Sequence, residues 1–78
     1  MKNWTKESNS LIACFEFKDF KQAWEFMSKV AKLAEEMHHH PDWRNVYNTV
    51  EIKLSTHDAG NIVTEKDWNL AAAINTLV

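Results

Sequence analysis

The sequence predicts a single α+β domain over residues 1–78, in which a four-stranded antiparallel sheet has helices packed on one face. Two segments alternate between apolar and polar residues with the two-residue period of a strand. Two others repeat apolar residues at steps of three and four, which is the period of a helix. The order along the chain is strand, strand, helix, strand, strand, helix, and this order favours two helices covering one face of the sheet.

The first two strands are expected to form a hairpin. Residues 11–17 carry an apolar phase made of Leu11, Ala13, Phe15 and Phe17. A short partner strand is expected at residues 3–6, because residues 7–10 form a polar cluster of hairpin-turn length. The single cysteine, Cys14, cannot close an internal disulfide, and we expect it to be a small buried side chain.

A long helix is predicted after Asp19, a suitable N-cap residue, and it reaches about Met37. Pro41 biases the preceding residue away from helical backbone, so the helix should finish by about His38. Its apolar residues recur at helical spacing: Phe20, Ala23, Trp24, Met27, Val30, Ala31 and Ala34. Three more widen the stripe: Phe26, Leu33 and Met37. So broad a stripe could either form a thick core or leave one side for a neighbouring subunit.

The second half of the chain predicts another hairpin and a last helix. Strands are expected at residues 45–46 and 50–56, with Asn48 and Thr49 as the turn. Alternation then places Val50, Ile52 and Leu54 on the apolar face and His57 at the strand end on the polar phase. Residues 58–61 form a turn, and Thr64 with Asp67 resembles the capping box that opens a helix.

Composition and charge exclude several classes of protein. The chain is 45% hydrophobic and 26% charged with one glycine and one proline, which is unlike collagen or a disordered segment. Its net charge of −2 disfavours direct nucleic acid binding. No apolar run approaches the roughly 18 residues of a membrane span, and the first ten residues lack the apolar core of a secretory signal. We therefore expect a cytoplasmic protein, and its small size favours oligomerisation.

The four histidines are the main chemical signal. Three are consecutive, His38 to His40, at the predicted helix end, and the fourth, His57, follows a strand. Imidazole exchanges protons near neutral pH, so two imidazoles facing one pocket could act as acid and base. Glu35 lies four residues before His39, and its carboxylate could orient that ring if the last helical turn continues.

The histidine spacing has three other interpretations. Solvated surface histidines without a role fit the spacing. A zinc site is less well supported, because structural sites usually need four ligands and adjacent histidines diverge. A nucleophilic site could use Ser55, His57 and Asp58, but adjacent strand residues point to opposite faces and place His57 and Asp58 poorly for it.

Several motifs together resemble the pterin-4a-carbinolamine dehydratase family. They are EEMHHHPDWRNVYN at residues 35–48, LSTHDAG at residues 54–60 and TEKDWNLA at residues 64–71. The similarity extends back through residues 15–31 and covers nearly the whole chain.

The resemblance implies an enzyme that converts 4a-hydroxytetrahydrobiopterin to quinonoid dihydrobiopterin and water, recycling the cofactor of aromatic amino acid hydroxylases. By position, the family's essential histidines correspond to His39, His40 and His57, and its acidic partner to Glu35. The resemblance further implies substrate contacts along these residues: Trp4, His38, His39, His40, Ser55, Thr56, His57 and Asp58. It implies no metal and no organic cofactor.

The hypothesis for the chemistry is that His39 or His57, whichever faces the hydroxyl, donates a proton. His40 then holds the ring and assists deprotonation of N5. The sequence departs from the family at His38, where members usually carry a shorter polar or acidic residue, and the N-terminal helix of many members is absent. The resemblance also implies a homodimer or homotetramer. Some animal members act as dimerisation cofactors of a transcription factor, which is the alternative function.

Overall fold

The computed structural model describes all residues from Met1 to Val78 and confirms the α+β prediction. The four strands are β1 (Thr5–Glu7), β2 (Ser10–Glu16), β3 (Asp42–Val46) and β4 (Thr49–Leu54), and the two helices are α1 (Phe20–Glu36) and α2 (Glu65–Asn75). The strands form one antiparallel sheet in the order β1-β2-β4-β3, with both helices on the same face.

Strand alternation creates the sheet side of the core. Leu11 pairs with Leu54, Ala13 with Ile52, and Phe15 with Val50, so each pair points to the helical face. All six of these side chains are buried. The predicted inward phase of both central strands is therefore confirmed.

The helices complete the core from one side. α1 begins after Asp19, whose side chain accepts a hydrogen bond from the Gln22 N–H, as its N-cap role predicts. The buried residues of α1 are Ala23, Phe26, Val30 and Ala34, and the apolar ones of α2 are Leu70, Ala71 and Ile74. Phe26 packs between Phe15 and Phe17, with ring centroids 5.0 and 4.9 Å away.

Two predictions about apolar residues were wrong in detail. Cys14 is exposed, because its strand phase points to the face of the sheet that carries no helix. On α1, Phe26 belongs to the core, whereas Phe20 and Trp24 are 49% and 57% exposed and stack on each other at 6.5 Å. The exposed apolar surface of this helix therefore lies near its beginning.

Strand boundaries differ from prediction by one to three residues. β1 and β2 are displaced from the predicted positions because the tight turn lies at Ser8 and Asn9. β3 begins at Asp42, directly after Pro41, because it pairs with β4 along its full length. The second turn lies at Tyr47 and Asn48, one residue earlier than expected, and Tyr47 has a φ of 50°.

Candidate active site

The predicted histidines meet in a cavity of about 280 Å³ at one end of the domain. Three chain segments converge there: the residues that follow α1, those that follow β4, and the first turn of α2. The lining residues are His38, His39, His40, Ser55, Thr56, His57, Asp58 and Lys66. All four histidines of the chain therefore lie around one polar hollow.

The end of α1 directs the three consecutive histidines. The His38 N–H donates to the carbonyl of Glu35, and the His39 N–H donates to the carbonyl of Ala34. This pair of bonds is a Schellman motif in which His38 occupies the left-handed position, with a φ of 53°. The chain therefore leaves the helix axis at His38, and His39 does not continue the helical spiral.

This change of direction brings His39 to a buried carboxylate. The Nε2 atom of His39 lies 2.5 Å from Oδ1 of Asp67, which is fully buried, and the His39 side chain is only 11% exposed. The other carboxylate oxygen, Oδ2, accepts from the Thr64 N–H and the Thr56 hydroxyl, each at 2.8 Å. Three donors around one carboxylate satisfy a buried charge that would otherwise be costly.

The direction of each hydrogen bond around Asp67 follows from which groups can donate and which can only accept. An ionised carboxylate only accepts, so His39 donates its Nε2–H and keeps Nδ1 for a second partner. The Thr56 hydroxyl, which donates to Asp67, accepts from the Thr64 hydroxyl 2.6 Å away. The Lys66 N–H in turn donates to Thr64, at 3.3 Å. One connected network therefore links the ends of α1 and β4 to the start of α2.

His57 is held on a short closed loop rather than at the end of a strand. It opens a 3₁₀ turn, His57–Ala59, which Gly60 ends with a φ of 87°. The loop is closed by an antiparallel bridge between Thr56 and Ile62, with a 2.8 Å hydrogen bond from the Thr56 N–H. The exposed His57 ring has its Nδ1 atom 3.2 Å from Oδ1 of Asn61.

One expected arrangement does not occur, and one alternative that the sequence disfavoured is not formed either. Glu35 was expected to orient His39, but the helix ends before His39, and Glu35 instead lies 3.5 Å from the Nε2 atom of His40. Both of those side chains are well exposed. A nucleophilic arrangement of Ser55, His57 and Asp58 is also absent, because no side-chain hydrogen bond joins these three residues.

Trp4 lies apart from the cavity. Its ring is buried in the core against Phe15 at 6.1 Å, and its Nε1–H donates to Oδ1 of Asn75 at 3.0 Å. In this chain Trp4 therefore ties the N-terminal segment to α2. Trp4 does not line the histidine cavity, and its contact with a substrate stays a prediction.

Two residues of the site are not assigned from the sequence: Asp67, which is buried next to His39, and Lys66, which lines the cavity. Asp67 was identified only as part of a capping box, which the structure confirms, and Lys66 was not singled out. No signal in the sequence pairs Asp67 with His39, because the two residues lie 28 positions apart. Lys66 lines the cavity because it lies beside Asp67 in the first turn of α2.

The arrangement of these groups suits proton transfer. Imidazoles from two segments face one hollow, and one of them is oriented by a buried carboxylate.

No group of three histidine, cysteine, aspartate or glutamate side chains is placed to hold a metal ion. Neither α1 nor α2 has the length and apolar composition of a membrane-spanning helix.

Comparison with known proteins relates the chain to one family. The sequence profile described as "Pterin 4 alpha carbinolamine dehydratase" matches residues 1–77. A protein of Bradyrhizobium diazoefficiens that is named after this dehydratase is 52% identical over 77 residues. The alignment covers 96% of the chain and 76% of that relative.

Two solved structures share the fold. A transcriptional coactivator/pterin dehydratase from Brucella melitensis is 40% identical with a TM-score of 0.91, covering 96% of this chain and 81% of that one. A pterin dehydratase-like protein identified as a RuBisCO assembly factor in the alpha-carboxysome is 25% identical with a TM-score of 0.76. That match covers 95% of this chain and 84% of the other. Relatives with this fold therefore carry names of different functional classes.

Proposed function

Because the chain belongs to the pterin 4 alpha carbinolamine dehydratase family, we propose that it dehydrates 4a-hydroxytetrahydrobiopterin to quinonoid dihydrobiopterin and water. The observation that carries the proposal is the cavity in which His39, oriented by Asp67, lies with His40 and His57. The activity would recycle the pterin cofactor of aromatic amino acid hydroxylases.

The reaction needs one acid and one base. A proton is added to the 4a-hydroxyl, the C4a–O bond breaks with its electron pair on oxygen, and water leaves. The N5 proton is removed, and the N5–H electron pair forms the C4a=N5 double bond. One proton is consumed and one released, so atoms and charge balance without a redox partner.

We assign the proposed roles to the histidines of the cavity. His39 or His57, whichever faces the hydroxyl of the bound stereoisomer, donates the proton, and His40 holds the ring and assists removal of the N5 proton. The Asp67 carboxylate accepts from Nε2–H of His39, so Nδ1 is the proposed working atom of this ring. The polar groups of Ser55, Thr56 and Asp58 remain the proposed contacts of the ring.

Glu35 enters the proposal through His40. Its Oε1 atom lies 3.5 Å from the His40 Nε2 atom at the exposed rim of the cavity. Such an exposed pair contributes little to stability, so its proposed role is to orient the ring of His40 when substrate covers the rim.

The direct test uses freshly generated 4a-hydroxytetrahydrobiopterin, whose dehydration is followed by absorbance. The proposal predicts acceleration over buffer that is proportional to protein concentration and unaffected by a metal chelator. A folded protein that gives the buffer rate would contradict it. Failure of the quinonoid product to appear while substrate disappears would contradict the assigned reaction.

One observation favours a second candidate function, a protein-interaction module that acts as a dimerisation cofactor of a transcription factor. Phe20 and Trp24 form an exposed stacked pair on α1, and apolar surface of this kind is typical of interaction sites. The Brucella relative is named both coactivator and dehydratase. A homodimer or homotetramer, which would use the same kind of surface, stays a prediction.

The second candidate is tested with a Phe20→Ser/Trp24→Ser variant. It predicts that a DNA-binding regulator from the source cell binds immobilised wild-type protein and is lost from the variant. Equal retention by both proteins would contradict it. The dehydration rate of the variant separates the two candidates, since neither residue lines the cavity.

A further inference from the structure

Asn61 holds the ring of His57 from outside the histidine cavity. Its Oδ1 atom lies 3.2 Å from Nδ1 of His57, and this is the one hydrogen bond that the His57 side chain makes within the protein. His57 lines the cavity, whereas Asn61 does not. An effect of Asn61 on a reaction in the cavity would therefore act through the imidazole of His57.

The backbone of the loop fixes the position of Asn61. The Asn61 N–H donates to the carbonyl of Thr56 at 3.0 Å, and the carbonyl of the next residue, Ile62, accepts from the Thr56 N–H at 2.8 Å. The φ of Asn61 is 59°, a left-handed value that asparagine adopts more readily than most residues with a side chain. The amide of Asn61 therefore extends from a backbone that is hydrogen-bonded on both sides, four residues after the ring that it contacts.

The chemistry of the amide determines which nitrogen of His57 carries a hydrogen. An amide oxygen only accepts, so the hydrogen bond requires a hydrogen on Nδ1, and the neutral ring has its lone pair on Nε2. The protonated ring carries hydrogens on both nitrogens and keeps the same bond to Asn61. His57 can therefore lose and regain a proton at Nε2 without changing the partner that holds it.

Two histidines of the cavity are held through opposite ring nitrogens. His39 donates Nε2–H to Asp67, which leaves Nδ1 for a ligand, and His57 donates Nδ1–H to Asn61, which leaves Nε2. Neither Asp67 nor Asn61 lines the cavity, so each acts from behind its histidine. We propose that Asn61 is a positioning residue that fixes the tautomer of His57 and makes Nε2 its working atom in the dehydration. This inference rests on the proposed function.

The test is Asn61→Gly, which removes the amide and keeps the loop, because glycine adopts a positive φ without strain. Nitrogen-15 NMR of the neutral ring should show the hydrogen of His57 on Nδ1 in the wild type. In the variant it should move towards Nε2, the form that an imidazole in water prefers. We expect kcat to fall about fivefold, the scale of one hydrogen bond, and KM to stay within about twofold, because Asn61 does not line the cavity.

Two further variants are the controls. Asn61→Asp keeps an oxygen that accepts from Nδ1–H, so it should keep the tautomer of His57 and a kcat within about twofold of wild type on the plateau of its pH profile. Asn3→Gly makes the same exchange as Asn61→Gly at another exposed left-handed position, with a φ of 72°, that does not line the cavity. It should keep both the tautomer and kcat. Urea unfolding of each variant establishes that it folds.

Three results would overturn the proposal and leave the dehydratase function standing. They are a neutral wild-type His57 with its hydrogen on Nε2, an Asn61→Gly variant with wild-type nitrogen shifts and kcat, and equal losses of kcat in Asn61→Gly and Asn3→Gly. Failure of the proposed function gives a different result, because the wild type then does not accelerate dehydration over buffer. The nitrogen-15 spectra of His57 would then, on their own, support or overturn the positioning of the ring by Asn61.

Discussion

The His39 imidazole and the Asp67 carboxylate, 28 residues apart in the chain, form a hydrogen bond of 2.5 Å at the wall of the histidine cavity. The same carboxylate caps α2 through the Thr64 N–H and accepts from the Thr56 hydroxyl. One buried group therefore stabilises the start of a helix and determines the tautomer of a proposed catalytic histidine. A substitution of Asp67 is therefore expected to change both the stability of the protein and the tautomer of His39.

Asp67→Asn should change the tautomer of His39. The amide oxygen can still accept from Thr64 and Thr56, but its NH₂ group then faces Nε2 of His39, which must accept instead of donating. We expect the proton to move to Nδ1, kcat to fall at least about tenfold and the free energy of unfolding to fall by about 1–3 kcal/mol. Nitrogen-15 NMR of the imidazole reports the tautomer directly.

The matched control is Asp19→Asn, at the N-cap of α1, where asparagine caps as well as aspartate. It should keep both the His39 tautomer and the rate. If Asp67→Asn leaves the imidazole nitrogen shifts of His39 unchanged, the assigned direction of the hydrogen bond is wrong.

His38→Gly should stabilise the protein. His38 holds the left-handed position of the Schellman motif, with a φ of 53°, where a side chain is strained and glycine is not. We expect the free energy of unfolding to rise by about 0.5–1 kcal/mol. Glu36→Gly, two residues earlier and still helical, should lower it by about the same amount. Urea unfolding that gives the same sign for both variants would contradict this account of the helix end.

Gly60→Ala tests the loop that carries His57. No atom lies within 4 Å of the position that a Cβ would take, so the φ of 87° is the only obstacle. We expect a loss of about 1–2 kcal/mol from backbone strain alone. A synthetic chain with D-alanine at this position should keep the glycine value, because D-residues favour positive φ. Equal losses for the two alanines would point to a steric cause instead.

The aromatic residues of α1 should divide into two energetic classes. Phe26 is buried between Phe15 and Phe17, so Phe26→Ala should lower the free energy of unfolding by about 3–5 kcal/mol. Trp24 is more than half exposed, so Trp24→Ala should change it by less than about 1 kcal/mol in the monomer. A large loss for Trp24→Ala that depends on protein concentration would show that a second copy covers it.

Local patterns were sufficient for most of the fold. The period of the apolar residues identified both central strands and both helices, and the caps at Asp19 and Thr64 located the helix starts. The two-residue alternation of β2 also places Cys14 on the face of the sheet opposite to the core. Burial was expected for Cys14 because its neighbours are apolar. Long strand pairing extended β3 to Asp42, and no local signal could show this, because β4 supplies the partners.

The candidate site was predictable only in part. The cluster of His38 to His40 and the position of His57 are visible in the sequence. The partner of His39 is not, because the Schellman motif turns the chain away from Glu35 and towards a carboxylate 28 residues later. The four-residue spacing pairs Glu35 with His39 only if the last helical turn continues, and the left-handed backbone of His38 ends that turn.

The most direct test of the central claim is the rate of dehydration of 4a-hydroxytetrahydrobiopterin by the wild type, His39→Ala and His57→Ala. Thermal unfolding of each variant establishes that the fold is kept. The account predicts acceleration by the wild type and a loss of about 10²-fold or more in kcat for at least one variant, the scale of acid–base catalysis. Wild-type rates in both folded variants would contradict it.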